Sequence, residues 1–142
     1  MADSGVSLAQ ALRQVVSRLR RRLREQADVS DLTPSQISVL LRLEQEGPLT
    51  TSALARVEVM RPQSMGTIVT ALQDLGFVAG SSDPSDGRQT LLSLTERCRV
   101  WIAEGRAARQ DWLARTIASR LSPDEQRQLA AALPLLDRLA EG

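Results

Sequence analysis

The side chains able to do chemistry in this chain are few, and what is missing narrows the field first. There is no histidine and a single cysteine, Cys98. That leaves no Ser-His-Asp or Cys-His arrangement, no His-ligated metal site and no intramolecular disulfide. No metal or cofactor is expected. No acid, base and nucleophile cluster together, so the chain does not read as an enzyme. What remains is a group of hydrogen-bonding and cationic residues, Arg61, Gln63, Ser64, Thr67 and Arg88. Met65, Ile68, Val69 and Leu72 repeat at i, i+3, i+4, i+7 and define the inward side of a helix. Ser64, Thr67, Thr70 and Ala71 share its outward side, with Gln63 in the first turn. A solvated helix face usually carries Glu, Lys or Arg at i, i+4. This face is short, uncharged and able to donate or accept, which suits close approach to base edges and phosphates. A Ser/Thr-rich surface helix with no partner is the plainer alternative.

The neighbouring elements must hold that helix in place. Thr50 is a good N-cap for a preceding short helix, in which Ala53, Leu54 and Val57 form an apolar stripe. Arg61-Pro62 opens the second helix, because proline at the first helical position gives up a donor that had no partner. Leu75-Gly76 stops it. Phe77–Ala79 then reads as a short strand, and Thr90–Leu94 as its return. Between them Ser81–Arg88 is dense in turn formers, with Asp86-Gly87 supplying a tight turn. Arg88 is the only cation in this hairpin. A lone guanidinium at a loop tip suits the negative potential of a DNA minor groove. Alternatively it pairs with Asp83 or Asp86 and stiffens the turn. Together these elements describe a helix-turn-helix with a wing, a module that places one helix in the major groove.

With these residues in view, the chain resembles the MarR (multiple-antibiotic-resistance repressor) family of bacterial transcriptional regulators. The likeness is carried by Leu32-Thr33-Pro34-Ser35-Gln36, Leu54-Ala55, Leu72 with Gly76-Phe77-Val78, and above all Asp83-Pro84-Ser85-Asp86-Gly87-Arg88 followed by Leu94-Thr95. The resemblance implies a triangular homodimer with recognition helices in successive major grooves. It implies that Arg88 is the wing-tip arginine and that Gln63, Ser64 and Thr67 lie on the recognition helix. It also implies release from DNA by a small ligand that favours a different spacing of the two helices. There are departures. Val59 stands in a turn where relatives often carry glycine, and Arg61 is a poor N-cap. Thr67 or Ala71 and Ala79-Gly80 stand where basic residues are frequent, and Gly66 lowers the helix propensity.

The rest of the chain reads as a scaffold. Residues 1–6 are expected to fray. Ser7 to about Ala27 forms a helix on Leu8, Leu12, Val15, Val16, Leu19 and Leu23. The cluster Arg18, Arg20, Arg21, Arg22 and Arg24 reads as a solvated face, with an anionic ligand or the DNA backbone as the alternative. Asp28–Leu32 is a short loop. Thr33-Pro34-Ser35-Gln36 is a capping box that opens a helix carrying Ile37, Leu40 and Leu41 and ending at Gly47-Pro48. A long helix runs from Thr95 or Glu96 to about Arg120, apolar on two sides, which requires two contacts. Ser122 and Glu125 cap a last helix striped with Leu129, Leu133, Leu136 and Ala140. Pro134 should kink or break it. The terminal stripes, with Leu8, Leu12, Leu19, Leu129, Leu133 and Leu136 foremost, are what an intertwined dimer buries. Cys98 reads as a small packed residue. Trp101 and Trp112 are core residues or, less commonly, walls of a pocket for a small aromatic or phenolic ligand.

Length and composition agree with one small domain with dimerisation arms. The expected fold is mainly α with a small β-wing, a winged helix-turn-helix with N- and C-terminal dimerisation helices. The boundaries are 1–32 for the first arm, 33–95 for the DNA-binding region and 96–142 for the second arm. All 18 basic residues are arginine, yet the net charge is only +1. Within residues 48–95 three arginines face four acids, a local net of −1. Affinity for DNA must then come from where charges sit and from two copies acting together. No signal peptide or run of 18 apolar residues is legible, which predicts a cytoplasmic protein with no membrane partner. The expectation is a dimeric repressor on a pseudo-palindromic operator in double-stranded DNA, released by a small molecule. A regulator without an effector, or a winged-helix interaction module that has lost DNA binding, are the rivals.

Overall fold

The computed structural model describes residues 2–27 and 32–142. Eight elements follow in order: α1 (Ala2–Glu25), α2 (Pro34–Glu46), α3 (Thr51–Val57), α4 (Pro62–Asp74), β1 (Val78–Ser82), β2 (Thr90–Leu94), α5 (Glu96–Arg120) and α6 (Pro123–Ala140). They divide into two compact units. One is Asp28–Glu104, and the other joins Met1–Ala27 with Gly105–Gly142. The loop expected at Asp28–Leu32 lies outside the described residues except for Leu32.

The winged unit is built on caps that the sequence announces. Thr33 Oγ1 accepts from the Gln36 N–H while Gln36 Oε1 accepts from the Thr33 N–H, closing the capping box of α2. Thr50 accepts from the Ala53 N–H and starts α3. Thr95 Oγ1 accepts from the Cys98 N–H at the start of α5 and donates to the Gly76 carbonyl at 2.6 Å. One hydroxyl therefore ties the end of the wing to the end of α4. β1 and β2 pair antiparallel from Val78↔Leu94 to Ser82↔Thr90. Leu92 gives both backbone groups to Leu49, which acts as a one-residue third strand.

The core of this unit collects Val39, Leu40 and Leu43 from α2, Leu54 and Ala55 from α3, and Met65, Val69 and Leu72 from α4. Phe77, Val78, Leu92 and Leu94 join from the hairpin, and Cys98 and Ile102 from the start of α5. Phe77 and Trp101 meet with ring centroids 5.1 Å apart. Two apolar positions depart from the sequence reading. Leu41 and Val57 are each 40% exposed, and Val39, Leu43 and Ala55 take the inward places. In short helices one residue's rotation decides which side is buried, and periodicity leaves that choice open.

In the other unit α1 begins at Ala2, so the expected fraying of residues 2–6 is not seen. Arg22 lies over the Trp112 ring, 5.5 Å from its centroid. Ser122 and Glu125 form the expected capping box of α6. Pro134 does not break that helix, which continues to Ala140. Its missing N–H leaves one carbonyl a turn earlier without its intrahelical donor, a loss an exposed helix makes good with water.

Candidate nucleic-acid interface

α4 presents two unlike sides. Met65, Val69 and Leu72 are buried, while Gln63, Ser64, Thr67, Thr70 and Asp74 are exposed. The helix opens at Arg61, whose backbone is extended (φ −71°, ψ 146°) and whose side chain makes no capping hydrogen bond. Pro62 follows at the first helical position. The Gln63 and Ser64 N–H groups therefore point out of the helix end without a side-chain partner, at the positive end of the helix dipole. Helices α2, α3 and α6 are each capped by a side-chain oxygen in the same place.

The wing was expected to pair from Phe77 to Ala79. It pairs instead from Val78 to Ser82, so Ser81 and Ser82 belong to the strand. The loop is correspondingly shorter and closes when the Asp83 N–H donates to the Gln89 carbonyl at 3.0 Å. Both aspartates are turned onto the loop itself. Asp83 Oδ1 accepts from the Ser85 N–H and hydroxyl, and Asp86 Oδ1 accepts from the Arg88 N–H. The Ser85 bonds hold the Asp83 carboxyl below its ordinary pKa. The Arg88 guanidinium makes no ion pair among the described residues and is exposed. Of the two readings open for Arg88, pairing with a wing aspartate is not the one observed.

A further residue holds the module and was missed by sequence reasoning. Glu58, just past α3, accepts from Ser38 Oγ at 2.9 Å and from Arg42 Nε at 3.3 Å, its side chain only 11% exposed. This carboxylate locks the end of α3 onto α2. It also matters for charge. Of the four acids in residues 48–95, Glu58, Asp83 and Asp86 are bonded to donors inside the fold, which leaves Asp74. Arg61 and Arg88 stay available at the surface.

The structure places the remaining candidates elsewhere. Trp101 packs on Phe77 within the winged unit, and Trp112 lies under Arg22 in the other unit. Cys98 is fully buried, and loss of solvent pushes its thiol pKa up to about 11. No described helix is long and apolar enough to cross a membrane.

A short helix, a tight turn, a second helix with a bare N-terminus and a hairpin bearing one unpaired arginine define a winged helix-turn-helix protein. The MarR family model matches residues 32–90. An HTH-type transcriptional regulator of Mycobacterium tuberculosis is 40% identical over 141 residues, covering 99% of this chain and 98% of its own. An HTH-type transcriptional repressor of the same species is 33% identical over 105 residues, 74% of this chain and 75% of its own. A crystal structure of a transcriptional regulator protein from Pseudomonas aeruginosa matches with a TM-score of 0.84 at 35% identity, covering 98% and 97%. The fold is also that of a Staphylococcus aureus MepR variant bound to an oligodeoxyribonucleotide, with a TM-score of 0.72 at 19% identity over 94% and 98%. The chain belongs to the MarR family, and it is a DNA-binding transcriptional regulator rather than an enzyme.

Proposed function

We propose that the chain is a cytoplasmic, dimeric repressor that reads a pseudo-palindromic operator with α4 and grips the flanking minor grooves with Arg88. The observation that carries this reading is the exposed Arg88 guanidinium, which makes no ion pair among the described residues although Asp83 and Asp86 lie in the same loop, because both carboxylates accept from the wing backbone instead. A surface ion pair would add little to the wing, and the charge is left open to a nearby phosphate or groove. At α4, Arg61 and the uncapped N–H groups of the first turn suit phosphates, and Gln63, Ser64 and Thr67 suit base edges. The dimer is supported by apolar surface. Leu8 is 71% exposed and Leu133 53%, Leu19, Leu129 and Leu136 are also exposed, Leu12 is half-buried, and α6 buries no residue at all. Two copies would set half-sites about 34 Å apart.

The test is binding of the protein to DNA from upstream of its own gene, by anisotropy over a series of salt concentrations. Arg56, Arg61 and Arg88 of two copies, six arginines on phosphates, give a log–log slope of about −5. Arg88→Ala in both subunits should make it shallower by about 2. Unchanged affinity and slope in that variant, or a particle that stays monomeric, overturns the reading. A regulator without an effector is favoured by one observation, that both tryptophan rings already have partners in Phe77 and Arg22. Titrating phenolic and aromatic acids into the DNA complex separates the two. Release supports a ligand-controlled repressor, and complete insensitivity supports the second reading.

A further inference from the structure

The outward line of α4 is Gln63, Thr67, Thr70 and Asp74, all exposed. Both threonine hydroxyls are already committed. Thr67 Oγ1 donates to the Gln63 carbonyl at 3.2 Å, and Thr70 Oγ1 donates to the Gly66 carbonyl at 2.9 Å. Each has one proton to give, so what Thr67 offers outward is acceptor lone pairs and a Cγ2 methyl. From Pro62 to Asp74 the helix carries no cation, and Asp74 closes its far end with a negative charge. Guanine shows two acceptors in the major groove, N7 and O6, and is read by donors. The middle of this helix has none to spare. Thymine shows a methyl, which is read by apolar contact. Gly66 adds a second observation. A Cβ built there meets nothing within 4 Å, so the fold's own packing does not call for glycine in mid-helix. Its bare backbone beside Thr67 lets the helix lie deep enough for a side chain as short as threonine to touch a base.

We propose that Thr67 is a specificity-determining residue that reads a thymine methyl with its own methyl, its hydroxyl being bonded internally, so the base pair opposite the middle of α4 is A·T. This rests on α4 being the recognition helix.

The test starts from selection of bound duplexes from a random pool by the wild-type protein. The selected duplex is then measured with each thymine replaced by deoxyuridine, against wild type, Thr67→Val and Thr67→Ser. Valine keeps the methyl and drops the hydroxyl, and serine does the reverse. Expected are affinity within about twofold for Thr67→Val and a loss of about fourfold per half-site for Thr67→Ser. One deoxyuridine position should cost wild type the same amount and cost Thr67→Ser nothing more. Gly66→Ala should raise the melting temperature and weaken binding. Loss in Thr67→Val with none in Thr67→Ser makes the hydroxyl the reading group and overturns the proposal, as does no deoxyuridine position costing wild type affinity. A wild-type protein that selects no sequence at all overturns the proposed function itself.

Discussion

Val59 and Gly76 occupy the same position of the same helix-ending motif. After α3, the Met60 N–H donates to the Ala55 carbonyl at 2.8 Å and the Val59 N–H to the Arg56 carbonyl at 3.2 Å. After α4, the Phe77 N–H donates to the Leu72 carbonyl at 3.0 Å and the Gly76 N–H to the Gln73 carbonyl at 2.9 Å. Both central residues have positive φ, 55° for Val59 and 77° for Gly76. Glycine adopts that backbone freely, while a β-branched residue there is strained. Val59 is 90% exposed, so packing within the chain does little to offset the strain.

Replacing Val59 by glycine should therefore stabilise the protein by about 1 kcal/mol, the relief of left-handed strain exceeding the added freedom of the unfolded chain. Gly76→Val should cost about 1–2 kcal/mol. The nearest atoms to a Cβ at Gly76 are those of Arg97 at 3.6 Å, an ordinary contact, so the cost is conformational. Urea unfolding measures both, and a destabilised Val59→Gly contradicts the strain.

Glu58 is the second lever. Glu58→Ala leaves the Ser38 hydroxyl and the Arg42 guanidinium without their shared acceptor, and should cost about 2 kcal/mol. Glu58→Gln keeps an oxygen for Ser38 but turns an amide NH2 toward the Arg42 donor, losing the charge and one of the two acceptors, so it should cost less than Glu58→Ala but still about 1 kcal/mol or more. Equal unfolding midpoints for Glu58→Ala and wild type would show that the contact is incidental.

In the wing, Gly80 faces Leu92, whose backbone groups are turned away toward Leu49, so Gly80 and Leu92 form the narrower kind of cross-strand pair. A Cβ on Gly80 would come within 2.7 Å of the Thr90 Cγ2 methyl. Gly80→Ala should cost about 1–2 kcal/mol. Thr90→Ser removes that methyl, so the double variant should recover most of the loss. Simple additivity in the cycle would rule out the clash.

The alkaline limit of stability should belong to Cys98. Its folded pKa, about 11, lies above the ordinary value of 9.0, so the folded state holds the proton more tightly. That contribution is complete below pH 9, shrinks as the pH rises and is lost above pH 11. The fall is about 2–3 kcal/mol. With no lysine and no tyrosine in the chain, no other side chain titrates in that window. Cys98→Ala should flatten the fall. Native protein at neutral pH should also leave a thiol reagent unreacted until it is unfolded.

Much of this was legible in the residue order because it is local. Thr33, Thr50 and Ser122 cap helices by reaching only three residues ahead, and Gly47 and Gly76 stop them through their own φ angles. Such short-range chemistry fixed the order of the elements and the boundaries of α2 to α5 within a residue or so. It also put Gln63, Ser64 and Thr67 on one exposed face and made Arg88 the wing's only cation.

Contacts across the fold were decided elsewhere. Glu58 reaches Ser38 twenty residues away and Arg42 sixteen away, and no pattern along the chain ties them. That the wing aspartates choose backbone donors over Arg88, that the hairpin pairs as far as Ser82, and that Thr67 and Thr70 turn their protons inward are choices between partners of similar strength. The sequence supplies both candidates in each case. Only the packed backbone sets the distances that let one of them win, since a hydrogen bond is lost within a few tenths of an ångström and a periodicity is not.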